Sequence, residues 1–403
     1  MADFESAIEQ AIENQDISGC VLNATNRDGS FTYSKSFGTD AAQNPLTNDS
    51  IMWIASCTKL LTAVSALQLV ERGLISLDDP VYSHIPELKD FKIITGFDDQ
   101  GAPITVPHKN PITLRNLLSH SSGIAYDAMY PLLGAWLKSQ GKESSMAGRL
   151  LERFDVPLIF EPGTSWMYGP SIDFAGLLIE RITKQTLEEY FAKNIWEPLG
   201  IKDMTFFLAK RPDLKERLSK MSKRSESGKV TTWDEPYHVG TGVEVEDCLG
   251  GQGLFAAPKE YIKVLHAVLT SDEDGKLLKK ETVHQLFSGQ LSEGGKSLMG
   301  MVLQDELARN AMGGIPTHIE KDYALGGLVV GRDLPDGRKE GTLIWGGLPN
   351  LMWFCDRKTG LTGLFATQLL PTGDAKAAVL NRKFEAGIIE LYKNNGKGIS
   401  GRL

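Results

Sequence analysis

The clearest pattern of apolar and polar positions lies between residues 56 and 72, where apolar side chains return every three or four residues. This spacing places them on one face of a helix, so we expect an amphipathic α-helix over 56–72. Gly73 follows directly, and glycine is the residue that most often ends a helix in a left-handed conformation. The apolar positions of this face are Leu60, Leu61, Val64, Leu67 and Val70.

Elsewhere the pattern separates strands near both ends of the chain from helices between them. Alternation and turn residues predict strands at 19–26, 30–38, 341–345, 351–355 and 362–368. Helical periodicity predicts helices at 4–14, 259–270 and 375–392, and a mostly helical stretch from 130 to about 207.

This order of elements predicts an α/β fold in two units. Residues 1–115 and 240–403 are expected to form a discontinuous sheet domain, and residues 116–239 an inserted, mainly helical domain. A cleft between the two units would be the natural place for a ligand.

Composition narrows the possible functions. The 403 residues are 41% hydrophobic and 23% charged, as in a globular protein with a sizeable core. A net charge of −8 without a basic stripe argues against a nucleic-acid partner. No apolar run reaches the ~18 residues of a membrane span. The acidic N-terminal helix does not have the pattern of a signal peptide, so we expect a cytoplasmic protein.

The cysteines and histidines do not form a site. The four cysteines are widely spaced and the seven histidines are dispersed along the chain. We therefore expect no disulfide framework, no metal site and no cofactor.

Candidate chemistry begins at the start of the 56–72 helix. Positions i and i+3 share a helix face, so the Lys59 ammonium group can reach the Ser56 hydroxyl. Ser56 is also expected in the first turn, where free backbone N–H groups favour developing negative charge. A second Ser-x-x-Lys at 139–142 lies in a polar, glycine-containing stretch, and we interpret it as a solvated loop.

Two further features are ambiguous when each is taken alone. Tyr168 lies at a junction between a loop and a helix, where its hydroxyl could enter a cleft or its ring could simply pack. Trp345-Gly346-Gly347 closes a predicted strand, and its glycines could bring a backbone N–H close to a bound oxyanion or merely end the strand.

Together, and in this order, these motifs resemble one family. The chain is similar to the serine β-lactamase-like superfamily of class C β-lactamases, family VIII esterases and penicillin-binding proteins, and more closely to the fungal lovastatin-type acyltransferases (transesterases). The resemblance spans roughly residues 5 to 390. The segments that carry it are 54–62, 66–74, 96–99, 112–123, 166–169, 172–176 and 345–347.

The resemblance implies a β-lactamase/transpeptidase-like fold of α/β (α+β) class, with an antiparallel sheet flanked by helices and an inserted, mostly helical region. It implies Ser56, Lys59 and Tyr168 as catalytic residues, with either Lys59 or Tyr168 as the immediate base. The oxyanion hole would be formed by the backbone N–H groups of Ser56 and Leu348. The implied substrate-binding residues are Tyr126, Trp345, Gly346, Gly347 and Gly251.

The implied reaction is acyl transfer through an acyl-enzyme. The acyl donor would be a small thioester or ester, which an acyl carrier protein could carry, and the acceptor a hydroxyl group of a secondary metabolite. Two alternatives stay open: a carboxylesterase that hydrolyses small or polyketide-type esters, and a catalytically silent binding protein that retains the penicillin-binding fold.

Two departures from the lactamase pattern argue against β-lactamase activity. Pro170 stands where class C enzymes carry asparagine, and 345–347 replaces their Lys-Thr-Gly. A literal Lys-Thr-Gly at 358–360 is expected to be a hairpin turn.

Overall fold

The computed structural model describes residues 3–142, 149–233 and 246–397. Within these residues the helices are α1 (Asp3–Glu13), α2 (Thr58–Glu71), α3 (Leu114–Leu118), α4 (Pro131–Ser139), α5 (Leu150–Arg153), α6 (Ser171–Thr183), α7 (Leu187–Phe191), α8 (Glu197–Leu199), α9 (Pro212–Lys215), α10 (Pro258–Asp274), α11 (Lys280–Leu286), α12 (Glu293–Val302), α13 (Glu306–Ala311) and α14 (Ala375–Lys397).

The strands of the same described ranges are β1 (Gly19–Asn26), β2 (Thr32–Gly38), β3 (Met52–Trp53), β4 (Lys92–Phe97), β5 (Pro103–Pro107), β6 (Met204–Thr205), β7 (Ser222–Arg224), β8 (Val230–Thr232), β9 (Phe255–Ala256), β10 (Lys321–Tyr323), β11 (Leu328–Val330), β12 (Leu343–Gly347), β13 (Leu351–Asp356), β14 (Leu361–Ala366) and β15 (Leu369–Leu370).

The largest sheet of the described chain has seven strands in the order β10-β11-β12-β13-β14-β1-β2. All of its neighbouring strands are antiparallel. Two strands come from residues 19–38 and five from residues 321–366, so the sheet is built from both ends of the chain, as the sequence pattern predicts. α10 packs on β1 and β14, and α1 and α14 pack on the same sheet and on each other.

The predicted insertion, residues 116–239, contains α4 to α9 but also three short strands in its described part. Among these strands β6 pairs with β9, and β7 pairs with β15. The boundary at 115/116 falls inside α3. The boundary at 239/240 lies outside the described residues. The division into two domains stays a prediction.

The central helix α2 corrects one expectation. Every residue from 58 to 69 is buried, so the helix is not amphipathic. α6, α7 and α11 pack around it, and two of its polar side chains bind backbone carbonyls inside the protein. Thr62 donates to the carbonyl of Gly250 at 2.6 Å, and Gln68 donates to that of Leu277 at 3.1 Å. The polar positions of α2 that an amphipathic helix would expose to solvent therefore lie inside the protein.

Local turn chemistry follows the sequence closely. Gly73 ends α2 with φ +68°, and Gly29 turns the β1–β2 hairpin with φ +71°. Both values lie in the left-handed region that glycine adopts without strain. Thr113 caps α3 by accepting from the N–H of Asn116. No helix in the described part of the chain is long and apolar enough to cross a membrane.

Candidate active site

Ser56 lies on a tight turn that feeds directly into α2. The turn is a 3₁₀ helix, Ala55–Cys57, so α2 itself begins two residues later than the sequence pattern suggests. Ala55 has φ +44°, a strained conformation for a residue with a side chain. The Thr58 hydroxyl holds this turn, because it donates to the Ala55 carbonyl at 2.6 Å and accepts from the N–H of Leu254 at 3.2 Å.

Three side chains meet at this turn, and we call them the Ser-Lys-Tyr cluster. The Ser56 Oγ lies 2.6 Å from the Tyr168 hydroxyl, and the Lys59 Nζ donates to the same Oγ at 3.2 Å. The Lys59 Nζ also stands 4.7 Å from the centre of the Tyr168 ring. Lys59 is fully buried, whereas Ser56 and Tyr168 are partly exposed. A reactant can therefore reach the two hydroxyls.

The buried Lys59 ammonium group is held by the backbone behind it. Its Nζ donates to the carbonyl of Gly251 at 2.7 Å, and the N–H of Gly251 donates to the Asp173 carboxylate at 2.9 Å. Asp173 is fully buried on the first turn of α6. Burial raises the pKa of the Asp173 carboxyl to about 6, although the Lys59 charge and the Gly251 N–H both favour its ionised form.

Aromatic rings enclose Tyr168 on several sides. Its ring centre lies 4.9 Å from that of His120, 5.3 Å from that of Trp345 and 5.5 Å from that of Tyr126. Tyr323 packs edge-on against both His120 and Trp345. Burial, and then the charge of the nearby lysine, lower the pKa of His120 well below its usual value. His120 therefore packs against the Tyr168 ring as an uncharged imidazole.

The glycines that close β12 bring this strand against the nucleophile turn. A Cβ on Gly347 would lie only 2.4 Å from the carbonyl oxygen of Ile54. A Cβ on Gly346 would lie 2.4 Å from the facing backbone of β13. Leu348 therefore leaves the strand beside the Ser56 turn. The oxyanion hole assigned to the N–H groups of Ser56 and Leu348 stays a prediction.

The predicted substrate-binding residues take different positions around the cluster. Tyr126 is partly exposed beside Tyr168, so it can contact a ligand. Trp345 is 2% exposed and supports the Tyr168 ring from behind. Gly346 and Gly347 form the buried wall opposite the nucleophile turn, and Gly251 binds Lys59 through its carbonyl. Their roles toward substrate stay predictions.

Two motifs that resemble catalytic ones, the Ser-x-x-Lys at 139–142 and the Lys-Thr-Gly at 358–360, lie away from the cluster. Ser139 ends α4 and donates to the carbonyl of Trp136, and Lys142 is exposed beyond the helix. The Lys-Thr-Gly at 358–360 forms the turn between β13 and β14, as expected, and Lys358 reaches only the surface residue Glu340. Neither motif contributes to the Ser56 turn.

Asp173 is the site residue that the sequence interpretation did not single out. An acidic residue in the first turn of a helix is commonly exposed to solvent and interacts favourably with the helix dipole. Its position in the sequence therefore does not indicate that it is buried. The available signal was its apolar setting between Ile172 and Phe174, together with a glycine pair at 250–251. Among the described residues no group of three His, Cys, Asp or Glu side chains is placed to hold a metal ion.

Comparison with known proteins decides the family. A model of the beta-lactamase family matches residues 4–386. The chain belongs to the beta-lactamase family. ML-236A carboxylate methylbutanoyltransferase of Penicillium citrinum is 37% identical over 403 residues, which cover 98% of this chain and 95% of the relative. Lovastatin esterase of Penicillium rubens is 36% identical over 399 residues, which cover 96% of this chain and 98% of the relative.

A solved structure extends the match to three dimensions. A mutant of simvastatin synthase (LovD) from Aspergillus terreus superposes with a TM-score of 0.89 at 37% identity, over 97% of this chain and 95% of that one. The resemblance inferred from the motifs and the β-lactamase-like fold are thereby confirmed. The relatives are named as acyltransferases and an esterase, so this member is an enzyme of the same superfamily, and acyl transfer is the chemistry that those names share.

Proposed function

We propose that the protein is a serine acyltransferase (transesterase) that moves an acyl group from a thioester or ester to a hydroxyl of a secondary metabolite. The observation that carries this proposal is the position of the Ser56 Oγ, within hydrogen-bond distance of both the Tyr168 hydroxyl and the Lys59 ammonium group. A serine hydroxyl is a weak nucleophile until an adjacent group takes its proton.

In the first half-reaction, Ser56 attacks the carbonyl carbon of the acyl donor. The cluster begins this step one proton short, as either a Tyr168 phenolate or a neutral Lys59 amine, and that group takes the Ser56 proton while the carbonyl oxygen becomes negatively charged. We propose that the N–H groups of Ser56 and Leu348 stabilise that oxyanion, and such donors are typically each worth about 10²–10³ in rate. Collapse of the intermediate expels the thiol or alcohol, which takes a proton from Tyr168, and leaves Ser56 acylated.

In the second half-reaction, an acceptor hydroxyl attacks the acyl-enzyme, and Tyr168 takes its proton. The oxygen of Ser56 leaves and regains a proton from the cluster. A carrier protein as acyl donor is a further part of the proposal that rests on the resemblance alone. A cytoplasmic location stays a prediction from the sequence.

Hydrolysis is the second candidate function, because one close relative is named lovastatin esterase. The same acyl-enzyme would then react with water instead of an alcohol. The two functions share every step up to the acyl-enzyme, so the fate of that intermediate separates them.

The experiment is intact-mass measurement after mixing the protein with a small acyl thioester. We expect a single acyl adduct on the wild type and none on Ser56→Ala. Ser139→Ala is the matched control, because it alters the other Ser-x-x-Lys at an exposed helix end, and its adduct should form normally. A folded Ser56→Ala variant that still acquires the adduct would contradict the nucleophile assignment.

A panel of alcohols added to the acylated protein then tests the acceptor. Discharge to an alcohol faster than to water would support the transferase. Discharge mainly to water across the panel would favour the esterase. Absence of an adduct on the wild type with a range of acyl thioesters and activated esters would contradict both.

A further inference from the structure

The carboxyl group of Asp173 has no role in the reaction described above, yet it is buried close to the reacting groups. Its Oδ1 accepts the N–H of Gly251 at 2.9 Å, and its Oδ2 has no hydrogen-bond partner among the described residues. A buried carboxylate with an unfilled oxygen is unfavourable unless its charge serves a purpose.

The peptide group between Gly250 and Gly251 is clamped at both of its ends. Thr62 of α2 donates to the Gly250 carbonyl at 2.6 Å, while Asp173 of α6 accepts the Gly251 N–H. The next carbonyl, that of Gly251, accepts from Lys59 at 2.7 Å. The direction in which this carbonyl points, and hence the place of the ammonium group, depends on the clamp.

Only bare backbone fits in this clamp. A Cβ on Gly251 would lie 2.2 Å from the Asp173 Oδ2, and one on Gly250 would lie 2.9 Å from the Thr62 hydroxyl. A Cβ on Gly176, in the same helix as Asp173, would lie 3.3 Å from the Gly250 Cα. The two helices and the glycine pair are therefore in close contact.

We propose that Asp173 is a positioning residue for the acyl transfer: through the backbone of Gly251, its carboxylate holds the Lys59 ammonium group against Ser56 and Tyr168. This inference rests on the proposed function of the Ser-Lys-Tyr cluster. The carboxylate also supplies negative charge near a buried cation that lacks a direct acidic partner among the described residues.

The surroundings of Asp173 determine how it should titrate. Lys59 from α2 and Arg153 from α5 favour the ionised carboxyl, whereas burial favours the neutral form and dominates. Tyr126 also faces the group. Because the pKa is raised to about 6, the carboxyl should gain a proton as the pH falls through that value. A protonated carboxyl is a weaker acceptor for the Gly251 N–H and no longer offsets the lysine charge.

The test is the pH dependence of acylation, measured as the burst of p-nitrophenol from a small p-nitrophenyl ester. For the wild type we expect the rate to fall as the pH drops through about 6, where Asp173 protonates. Asp173→Asn keeps an acceptor oxygen but removes the charge. We expect its kcat to fall about tenfold at pH 8, its KM to stay within about twofold, and the loss of rate near pH 6 to disappear.

Thr62→Val provides a second variant that loosens the clamp from the opposite side and leaves the carboxylate in place. Its kcat should also fall with KM unchanged, but the loss of rate near pH 6 should remain. If Asp173→Asn does not fold, Thr62→Val decides: an unchanged kcat would overturn the positioning role of the clamp.

Three results for folded Asp173→Asn would overturn the inference: an unchanged kcat, an unchanged pH profile, or a raised KM with normal kcat. Circular dichroism and thermal melting establish folding, and a merely structural residue would change those readings without moving the pH profile. Failure of the proposed function looks different, because the wild type itself would then form no acyl-enzyme.

Discussion

Gly347 offers a direct test of how closely β12 must approach the nucleophile turn. Its φ is not in the left-handed region, so alanine is allowed by the backbone and only space opposes it. The added Cβ would lie 2.4 Å from the Ile54 carbonyl oxygen, against about 3.4 Å for an ordinary van der Waals contact. Gly347→Ala must therefore open the gap between strand and turn by about 1 Å.

A displacement of that size should have a large effect on the reaction. Misplacing reacting groups by about 1 Å can cost about 10²-fold in rate, and loss of one oxyanion donor costs a similar factor. We expect kcat/KM of Gly347→Ala for a p-nitrophenyl ester to fall about 10²-fold. Overpacking should also lower the free energy of unfolding by about 1–3 kcal/mol.

Gly300→Ala is the matched control, because this glycine lies in α12 and a Cβ there meets nothing within 4 Å. Its kcat/KM should match the wild type, and alanine in a helix should add about 1 kcal/mol of stability. The reasoning is refuted if Gly347→Ala is folded and active at the wild-type rate, since β12 could then not be the wall that fixes the oxyanion site.

Two further predictions concern charges. Asp173→Asn should raise the free energy of unfolding by about 3 kcal/mol at pH 8, because the folded-state pKa near 6 exceeds the unfolded value of 3.8 and burial therefore disfavours the charged group. This gain in stability should be absent below about pH 4 and should grow as the pH rises from about 4 to 6. Urea unfolding is the measurement, and a variant that is less stable than the wild type at pH 8 would contradict the prediction. Lys358→Ala removes the exposed ion pair with Glu340, so the free energy of unfolding should change by less than about 1 kcal/mol. The acylation burst should be unchanged. Loss of that burst would show that the Lys-Thr-Gly at 358–360 takes part in the reaction.

The sequence predicted those parts of the site that depend on local spacing. Ser56 and Lys59 are three residues apart on one chain turn, and that spacing alone brings the Nζ to the Oγ. Tyr168 lies 112 residues further along, so no periodicity could bring it to Ser56. Only the ordered motifs of a family linked them. The hairpin of β1 and β2 was equally predictable, because its turn glycine and its alternation are both local.

The errors come from packing between distant segments. The helical pattern predicts a solvent face on α2, but Thr62 and Gln68 on that helix donate to the backbone carbonyls of residues 250 and 277. The sequence interpretation did not single out Asp173, because its contact with Gly251 joins residues that are 78 positions apart. A single sequence contains both residues of such a contact, but it does not show that they lie close together in the folded protein.

Three unfavourable features of the molecule lie at the Ser-Lys-Tyr cluster and directly behind it. Ala55 holds a left-handed φ directly before Ser56, a strain that typically costs about 1–3 kcal/mol. Lys59 and Asp173 are both fully buried charged residues on the two sides of Gly251. These costs are sustained because α2 is packed on all sides and cannot relax without exposing its apolar residues. Substitutions that relieve them should therefore stabilise the fold while slowing acyl transfer, the exchange expected where an active site is held in a strained arrangement.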